Sequence, residues 1–423
     1  MIKQAKKISS IFFYLFFACL PFQISALLFS EGIYSSGFFN PYLSHFVYLA
    51  DIFLLLGLLF LAPWFFKECK IGFKKIGYAF LVFFLASCLS LFLTSNLFSS
   101  LFYIFRFLEF FVVYLVIVNG FVDIKNLAKL FIYVMFFEAL IGIGQYVLQE
   151  SLGLRFFGEP VISSAEVGVA KVGLFDKSIL RIYGTFPHPN IFAAYLLTAI
   201  FFAFNFVKRS LFFKAIILLL LLALFLTFSR SGLFAFIFSL MFYMWFYHGK
   251  FSFKSIFYFL GLISLLLFIL GFGRVFLERF ALNDVAMMQR YFYLDIAFEM
   301  IKSHPFGLGV GDFTATMQDY SEIKILPWVF QPVHNIYLLV FAESGVFAFL
   351  SLIYLFVVVF NGLFKKLKSL KGDFSKNMTL SILAILMSFS FIGFFDHYLI
   401  SLYQGQMLFA TVLGFAGFYL KRA

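Results

Sequence analysis

Three side chains stand where an apolar chain has no place for them without a counter-charge or a use: Arg230, Arg290 and His334. Arg230 closes the run LLLLLALFLTFSRSG. A guanidinium at such a boundary either snorkels to water as an anchor or makes paired hydrogen bonds to a phosphate at headgroup level. Arg290 lies in VAMMQRYFYLDIAFEMIKS, residues 285–303, where Met287, Tyr291, Leu294, Phe298 and Ile301 recur at helical spacing. The pattern predicts an amphipathic helix on the membrane surface that turns Arg290 toward the bundle, with pairing to Asp295 or Asp284 as the plainer alternative. His334 and Asn335 open QPVHNIYLLVFAESGVFAFL. A histidine at a helix start caps it, takes a proton from a sugar hydroxyl as a neutral imidazole, or donates a hydrogen bond to phosphate.

A second polar entry is GTFPHPNIFAAYL, residues 184–196, in which Pro187 and Pro189 fix the chain, Asn190 is a good N-cap, and His188 is either structural or a substrate contact. The six histidines show no HxxH or HExxH spacing, so no metal site is expected. GLGVG, residues 307–311, follows no predicted strand and is not read as a nucleotide loop. Arg106 and Glu109, three apart on one helix face, can neutralise each other at span depth, where Asp51 and Glu138 also fall. Asp396 and His397 end a later span on the same side as His334.

The elements that must position these groups are membrane helices. The 423 residues are 63% hydrophobic and 12% charged, with mean hydropathy +1.01, a composition no water-soluble domain covers with polar surface. Continuous apolar runs without period-two alternation disfavour a β-barrel. They predict an all-α polytopic membrane protein, one domain over 1–423, with about 12 transmembrane helices. The runs lie near 9–29, 45–66, 77–94, 99–119, 127–148, 189–207, 212–228, 231–247, 253–272, 335–362, 377–395 and 400–420. No strand pattern or internal repeat is apparent.

Although the net charge is +12, most of the lysines and arginines sit in alternate short loops, which explains the charge without nucleic acid. This bias places both termini in the cytoplasm and two long segments, 149–188 and 273–334, outside. The basic, apolar start is read as an uncleaved first span. Cys19 and Cys88 in apolar runs and Cys69 among lysines form no disulfide framework.

TFSRSG (227–232), QRYFYLDIAFEMIKSHPFGLGVGDF (289–313) and HNIYLLVFAESGVFAFL (334–350), preceded by GTFPHPNIFAAYL, resemble the shared core of the bacterial O-antigen ligase and O-antigen polymerase superfamily over about residues 184–350. The resemblance implies an integral-membrane glycosyltransferase of the cell inner (plasma) membrane, in lipopolysaccharide and other surface polysaccharide biosynthesis. It implies transfer of a glycan from an undecaprenyl diphosphate carrier to a glycan, lipid A core or protein acceptor, with no cofactor or metal. By motif, Arg230, Arg290 and His334 are the implied catalytic residues. Asn335, His188, Asn190 and Arg181 complete the candidate site as substrate-binding residues on the periplasmic or extracellular face. A lipid-linked glycan flippase is the competing class, and it predicts paired or inverted repeats.

Overall fold

The computed structural model describes residues 2–29, 34–35, 38–174, 177–207, 210–248, 261, 285–370 and 372–421. Twelve helices carry the architecture: α1 (Ile2–Cys19), α2 (Leu49–Glu68), α3 (Lys74–Ser90), α4 (Leu97–Val118), α5 (Ile124–Leu148), α6 (Pro189–Ala203), α7 (Leu211–Leu226), α8 (Arg230–His248), α9 (Val285–Ser303), α10 (Ile336–Ser369), α11 (Asp373–Ile392) and α12 (Tyr403–Lys421). Helix makes up 72% of the structure, and the apolar helices are those of a membrane protein. Eleven of the twelve apolar runs overlap helices, although the run at 9–29 leaves the helix at Cys19 and the run at 45–66 begins with an extended stretch; the run at 253–272, apart from residue 261, lies outside the described residues, as does 273–284 of the second long loop.

The count of about twelve spans does not carry over. Among the described residues, five helices are long and apolar enough to cross a membrane: α4, α5, α8, α10 and α11. Others are too short or too charged at one end. Helix α6 has 15 residues and α7 has 16, rising about 22–24 Å against a hydrocarbon core of about 30 Å.

Packing follows the apolar pattern. Helix α6 is buried almost all round, as is α12, and the two sit inside the bundle with α11. Around them pack the pairs α1–α2, α3–α10, α4–α12 and α8–α11. At one end, which carries the basic loops, Lys6 pairs with Glu68 at 2.7 Å and Lys421 donates to Asn119 at 3.0 Å. The opposite end, the one expected from the charge bias to face outward and so called the outer end, gathers the long loops.

Three short antiparallel ribbons depart from the strand-free expectation: β1 (Ser25–Phe29) with β4 (His45–Tyr48), β2 (Tyr34–Ser35) with β3 (Phe38–Phe39), and β5 (Lys171–Leu174) with β6 (Lys177–Leu180). Each lies within a loop between helices, where pairing two nearby stretches satisfies backbone groups that no helix covers. The first ribbon leads into an ion cluster. Arg106 pairs with Asp51 at 2.9 Å and with Glu109, donates to the Phe46 carbonyl, and lies over the Tyr403 ring at 4.7 Å. The expected Arg106–Glu109 pair therefore exists, with Asp51 as an added partner that bridges α2 to α4.

Helix α9 has the expected bounds but a different buried face. Tyr293, Ile296, Ala297 and Met300 are buried against Leu308, Phe313, Val333 and Leu339, while Tyr291 and Phe298 are exposed. The i, i+3, i+4, i+7 set starting at Tyr293 wins because it faces α10 and the folded loop together.

The GLGVG stretch packs into a break in α10. At Gly345 the backbone turns to φ 79° and ψ −179°, which frees carbonyls from the helical ladder. Leu308 N–H bonds the Ala342 carbonyl at 3.0 Å, Gly309 N–H bonds that of Glu343 at 3.0 Å, and Val346 N–H bonds that of Pro305 at 3.0 Å. The loop so placed is pinned again by Asp312, whose Oδ2 accepts from Thr94 Oγ1 at 2.7 Å and Ser95 N–H at 2.7 Å.

A Cβ at position 345 would lie 2.4 Å from the Phe306 carbonyl group, on a backbone that L side chains avoid. Gly345→Ala is therefore expected to lose on the order of 2–4 kcal/mol of stability, read as a lowered thermal midpoint of the purified protein. Gly173→Ala, with open space around the added methyl, is the control expected to melt as wild type does.

Candidate active site

Sequence and local geometry deliver each polar group to the outer end by a separate route. Helix α5 holds the long loop before α6. The Gln145 amide accepts from the N–H groups of Tyr183 (3.0 Å) and Gly184 (2.9 Å) and donates to Glu159 (2.9 Å). Two turns earlier on the same helix, Glu138 accepts from the Thr185 N–H and hydroxyl, both at 2.8 Å. Gly184 sits at φ 59°, where a Cβ would lie 2.6 Å from Glu138 Oε2, so this entry requires glycine.

The cap of α6 differs from expectation. His188, not Asn190, is the N-cap: its Nδ1 accepts from Asn190 N–H at 3.2 Å, and Pro189 takes the first helical position. Proline fits that position because its missing N–H would have no helical partner. Asn190 is thereby inside the first turn with its side chain free to reach outward. Its Nδ2 donates to Asp396 Oδ2 at 2.7 Å, and its Oδ1 accepts from Arg181 at 2.7 Å.

Arg181 also donates through Nε to the Thr227 carbonyl at 2.7 Å, which ties α6 to the TFSRSG turn. There Phe228 has φ 47°, an uncommon conformation for a bulky residue. Ser229 then caps α8, its Oγ accepting from Gly232 N–H at 3.3 Å. Arg230 is the first residue of α8 and is half-buried.

Asn335 caps α10, with Oδ1 accepting from the N–H groups of Tyr337 (2.9 Å) and Leu338 (3.0 Å). Its capping bonds fix the neighbouring His334 ring, which stacks on Tyr293 of α9 at 5.5 Å and meets the His397 ring edge-on at 5.1 Å. Arg290, one turn before Tyr293, is half-buried and bears electrostatically on both His334 and His188.

These routes converge on a cavity of about 400 Å³. His188, Asn190, His334, Asp396 and His397 line its polar part, and Tyr42, Tyr183, Trp328 and Phe330 are among its aromatic walls. The centre is Asp396, only 5% exposed. Burial by itself would raise this carboxyl, but His397, His334, His188 and the Asn190 hydrogen bond together hold it below the usual range. The imidazoles move down as well. Burial, then Arg181, His334 and Arg290, take His188 to about 3 against the pull of Asp396. Burial and His334 take His397 to about 3. Burial, aided by Arg290, lowers His334, while Asp396 and the Pro332 carbonyl oppose it. At neutral pH the site therefore holds an ionised carboxylate among neutral imidazoles and nearby guanidinium groups. Such a set can accept a proton at an imidazole and stabilise an anion nearby.

The structure thus brings His188, Asn190 and His334 around Asp396, with Arg181 behind Asn190 and holding the turn before Arg230; Arg290 bears on His334 and His188 electrostatically, and neither it nor Arg230 is among the residues lining the cavity. Asn335 is adjacent, with its oxygen committed to the helix. Asp396 and His397 stand out in the sequence as polar residues at the end of an apolar run, whereas Tyr42 and Trp328 do not. Tyr42 belongs to FFNPYL (38–43), where Asn40 caps a short turn started by Pro41; that motif was the available signal.

No metal-binding group of three or more His, Cys, Asp or Glu occurs among the described residues.

The lowered imidazoles make stability depend on pH in a defined direction. A group depressed on folding contributes stability that is full above its unfolded value and lost as pH falls through the folded one. For His188 and His397 the window runs from 6.5 down to about 3. The thermal midpoint is therefore expected to fall as pH drops from about 7 to about 4.5, and to fall less in His397→Gln. Equal slopes in the two proteins would contradict the assignment.

Residues 215–353 match a family model described as O-antigen ligase. The matched stretch includes Arg230, Arg290, His334 and Asn335, while Arg181, His188, Asn190 and Asp396 lie outside it. No curated protein matches the chain. With apolar helices of membrane-crossing length on both sides of that stretch and within it, the chain is a membrane protein that carries, at 215–353, a segment similar to the O-antigen ligase family.

Proposed function

We propose that this protein transfers a glycan from an undecaprenyl diphosphate carrier to an acceptor hydroxyl on the outer side of the inner (plasma) membrane, with both termini in the cytoplasm. The observation that carries the reading is the convergence of His334, His188, His397 and Asp396 on one cavity, with Arg290 close enough to bear electrostatically on His334, in a chain whose residues 215–353 match the O-antigen ligase model. The acceptor is a sugar hydroxyl of a lipid A core or of a second lipid-linked glycan, or a protein hydroxyl.

The chemistry follows from the charges. The acceptor oxygen attacks the anomeric carbon on the face opposite the carrier, its O–H proton passes to the neutral His334 imidazole, and the carbon–oxygen bond to the diphosphate breaks with its electron pair. Configuration at that carbon inverts. Arg230 and Arg290 stabilise the charge that grows on the departing diphosphate, a role that bidentate guanidinium groups fill well. Asp396 favours the protonated imidazole and so supports His334 as base. Arg181 and Asn190 hold Asp396 in place, and His188 and Asn335 complete the substrate-facing wall. Orienting the acceptor against a good leaving group is itself a large part of such catalysis.

The test is transfer in vitro by the purified protein, using an undecaprenyl diphosphate glycan and candidate acceptors. His334→Ala, Arg290→Ala and Arg230→Ala are each expected to lower the rate by about 10²-fold or more, with Arg290→Lys recovering only part. Because His334 is lowered from its ordinary value, the acid limb of the rate profile should lie below pH 6.5. Undiminished transfer in both His334→Ala and Arg290→Ala would overturn the assignment. Movement of the lipid-linked glycan across vesicles without transfer would favour a transporter.

A further inference from the structure

The cavity has a polar floor and an aromatic rim, and of these the transfer step above uses only residues of the floor. Phe39 and Trp328 line the same cavity as His334 and Asp396, yet they remain 48% and 57% exposed. They come from two loops distant in sequence, and the backbone beside each is held firmly. Asn40 is buried, accepts from Tyr42 N–H at 2.9 Å and donates to the Phe330 carbonyl at 3.0 Å, which fastens one loop to the other. The Tyr293 hydroxyl donates to the Val329 carbonyl at 2.7 Å, which fastens the second loop to α9. Rings that stay open to solvent on an anchored backbone, at the mouth of a polar cavity, have the arrangement of a ligand platform.

The chemistry of the occupant follows from the contrast between floor and rim. A pyranose ring has hydroxyl groups at its edge and an apolar face of C–H bonds. The edge suits the histidines, the asparagine and the carboxylate below, and the face suits an electron-rich aromatic ring above. From this geometry, and resting on the transferase reading, we infer that Phe39 and Trp328 form a sugar-stacking rim that positions a pyranose ring of a substrate over His334 and Asp396. Both are positioning residues and take no part in bond making. The ring belongs either to the donor glycan or to the acceptor, which share this chemistry.

Kinetics with the purified full-length protein separate the two sources. In Trp328→Ala and Phe39→Ala, KM is expected to rise about tenfold for one substrate, donor or acceptor, with kcat within about twofold of wild type; Trp328→Phe should restore most of the loss. The substrate whose KM moves is the one whose ring occupies the rim. Unchanged KM for both substrates in both alanine variants would overturn the proposal. A second measurement does not depend on turnover. The chain has three tryptophans, and the emission of Trp328, taken as wild type minus Trp328→Phe, should change on titration with the oligosaccharide released by mild acid from the host's lipid-linked glycan, or with the intact lipid-linked glycan. No change with either sugar would overturn the proposal, and a shift that appears only on transfer from detergent into anionic lipid vesicles would assign the rim to the membrane surface instead. If wild type shows no transfer while the emission responds to sugar, the transferase reading fails and the sugar site stands.

Discussion

A carboxylate withdrawn from water must be compensated by what surrounds it, because an uncompensated buried charge costs several kcal/mol. Asp396 is in that position at the outer end of the bundle, and its needs organise the region. Asn190 of α6 donates to it directly, Arg181 steadies Asn190 while gripping the turn before α8, and the imidazoles of three separate segments stand within its field. A single buried charge thereby joins α6, the α7–α8 turn, the start of α10 and, through the His334–Tyr293 stack, α9. The same compensation sets the chemistry: the carboxylate stays ionised and the histidines stay neutral.

Positioning these groups requires irregular backbone within an apolar bundle, and irregular backbone has to be satisfied locally. Helix α10 breaks at Gly345, and the 305–309 segment supplies the N–H groups that its freed carbonyls need. The loop brought in this way carries Asp312, which locks onto Thr94 and Ser95 at the α3–α4 turn. The polar loop between α9 and α10 is therefore stitched to the bundle at several points. That stitching fixes where α9 lies and hence where Arg290 is presented. Further into the bundle, Arg106 with Asp51 and Glu109 does the same work for α2 and α4, where an unpaired arginine would be costly.

Much of this was legible in the sequence, and the limits have physical causes. Long apolar runs mark helices directly, so their positions agree with the structure; the number able to cross a membrane does not, because run length overstates helix length where a turn or a charged end intervenes, as at α6 and α7. The TFSRSG and HNIY segments show their caps in residue type, Ser229 and Asn335. The cap of α6 is His188 rather than Asn190, a difference the sequence hides, since nothing local says that Asn190 is drawn away by Asp396, some two hundred residues later. Helix α9 was found to the residue, but its buried face was not, because that face is decided by α10 and the folded loop. Trp328 is hidden for the same reason, and Tyr42 shows only through the Asn40–Pro41 turn: their place at the cavity depends on Asn40 reaching Phe330, a contact between distant loops.

The central claim is that one outer-end site, built around Asp396 and His334 with Arg230 and Arg290, takes a polyprenyl diphosphate. The most direct measurement is electron cryomicroscopy of the protein in lipid nanodiscs with undecaprenyl diphosphate bound. The account predicts diphosphate density between the guanidinium groups of Arg230 and Arg290, within hydrogen-bonding reach of His334 and at the edge of the Asp396 cavity. Diphosphate bound at another face of the bundle, with the Arg290 helix turned away from His334, would contradict it.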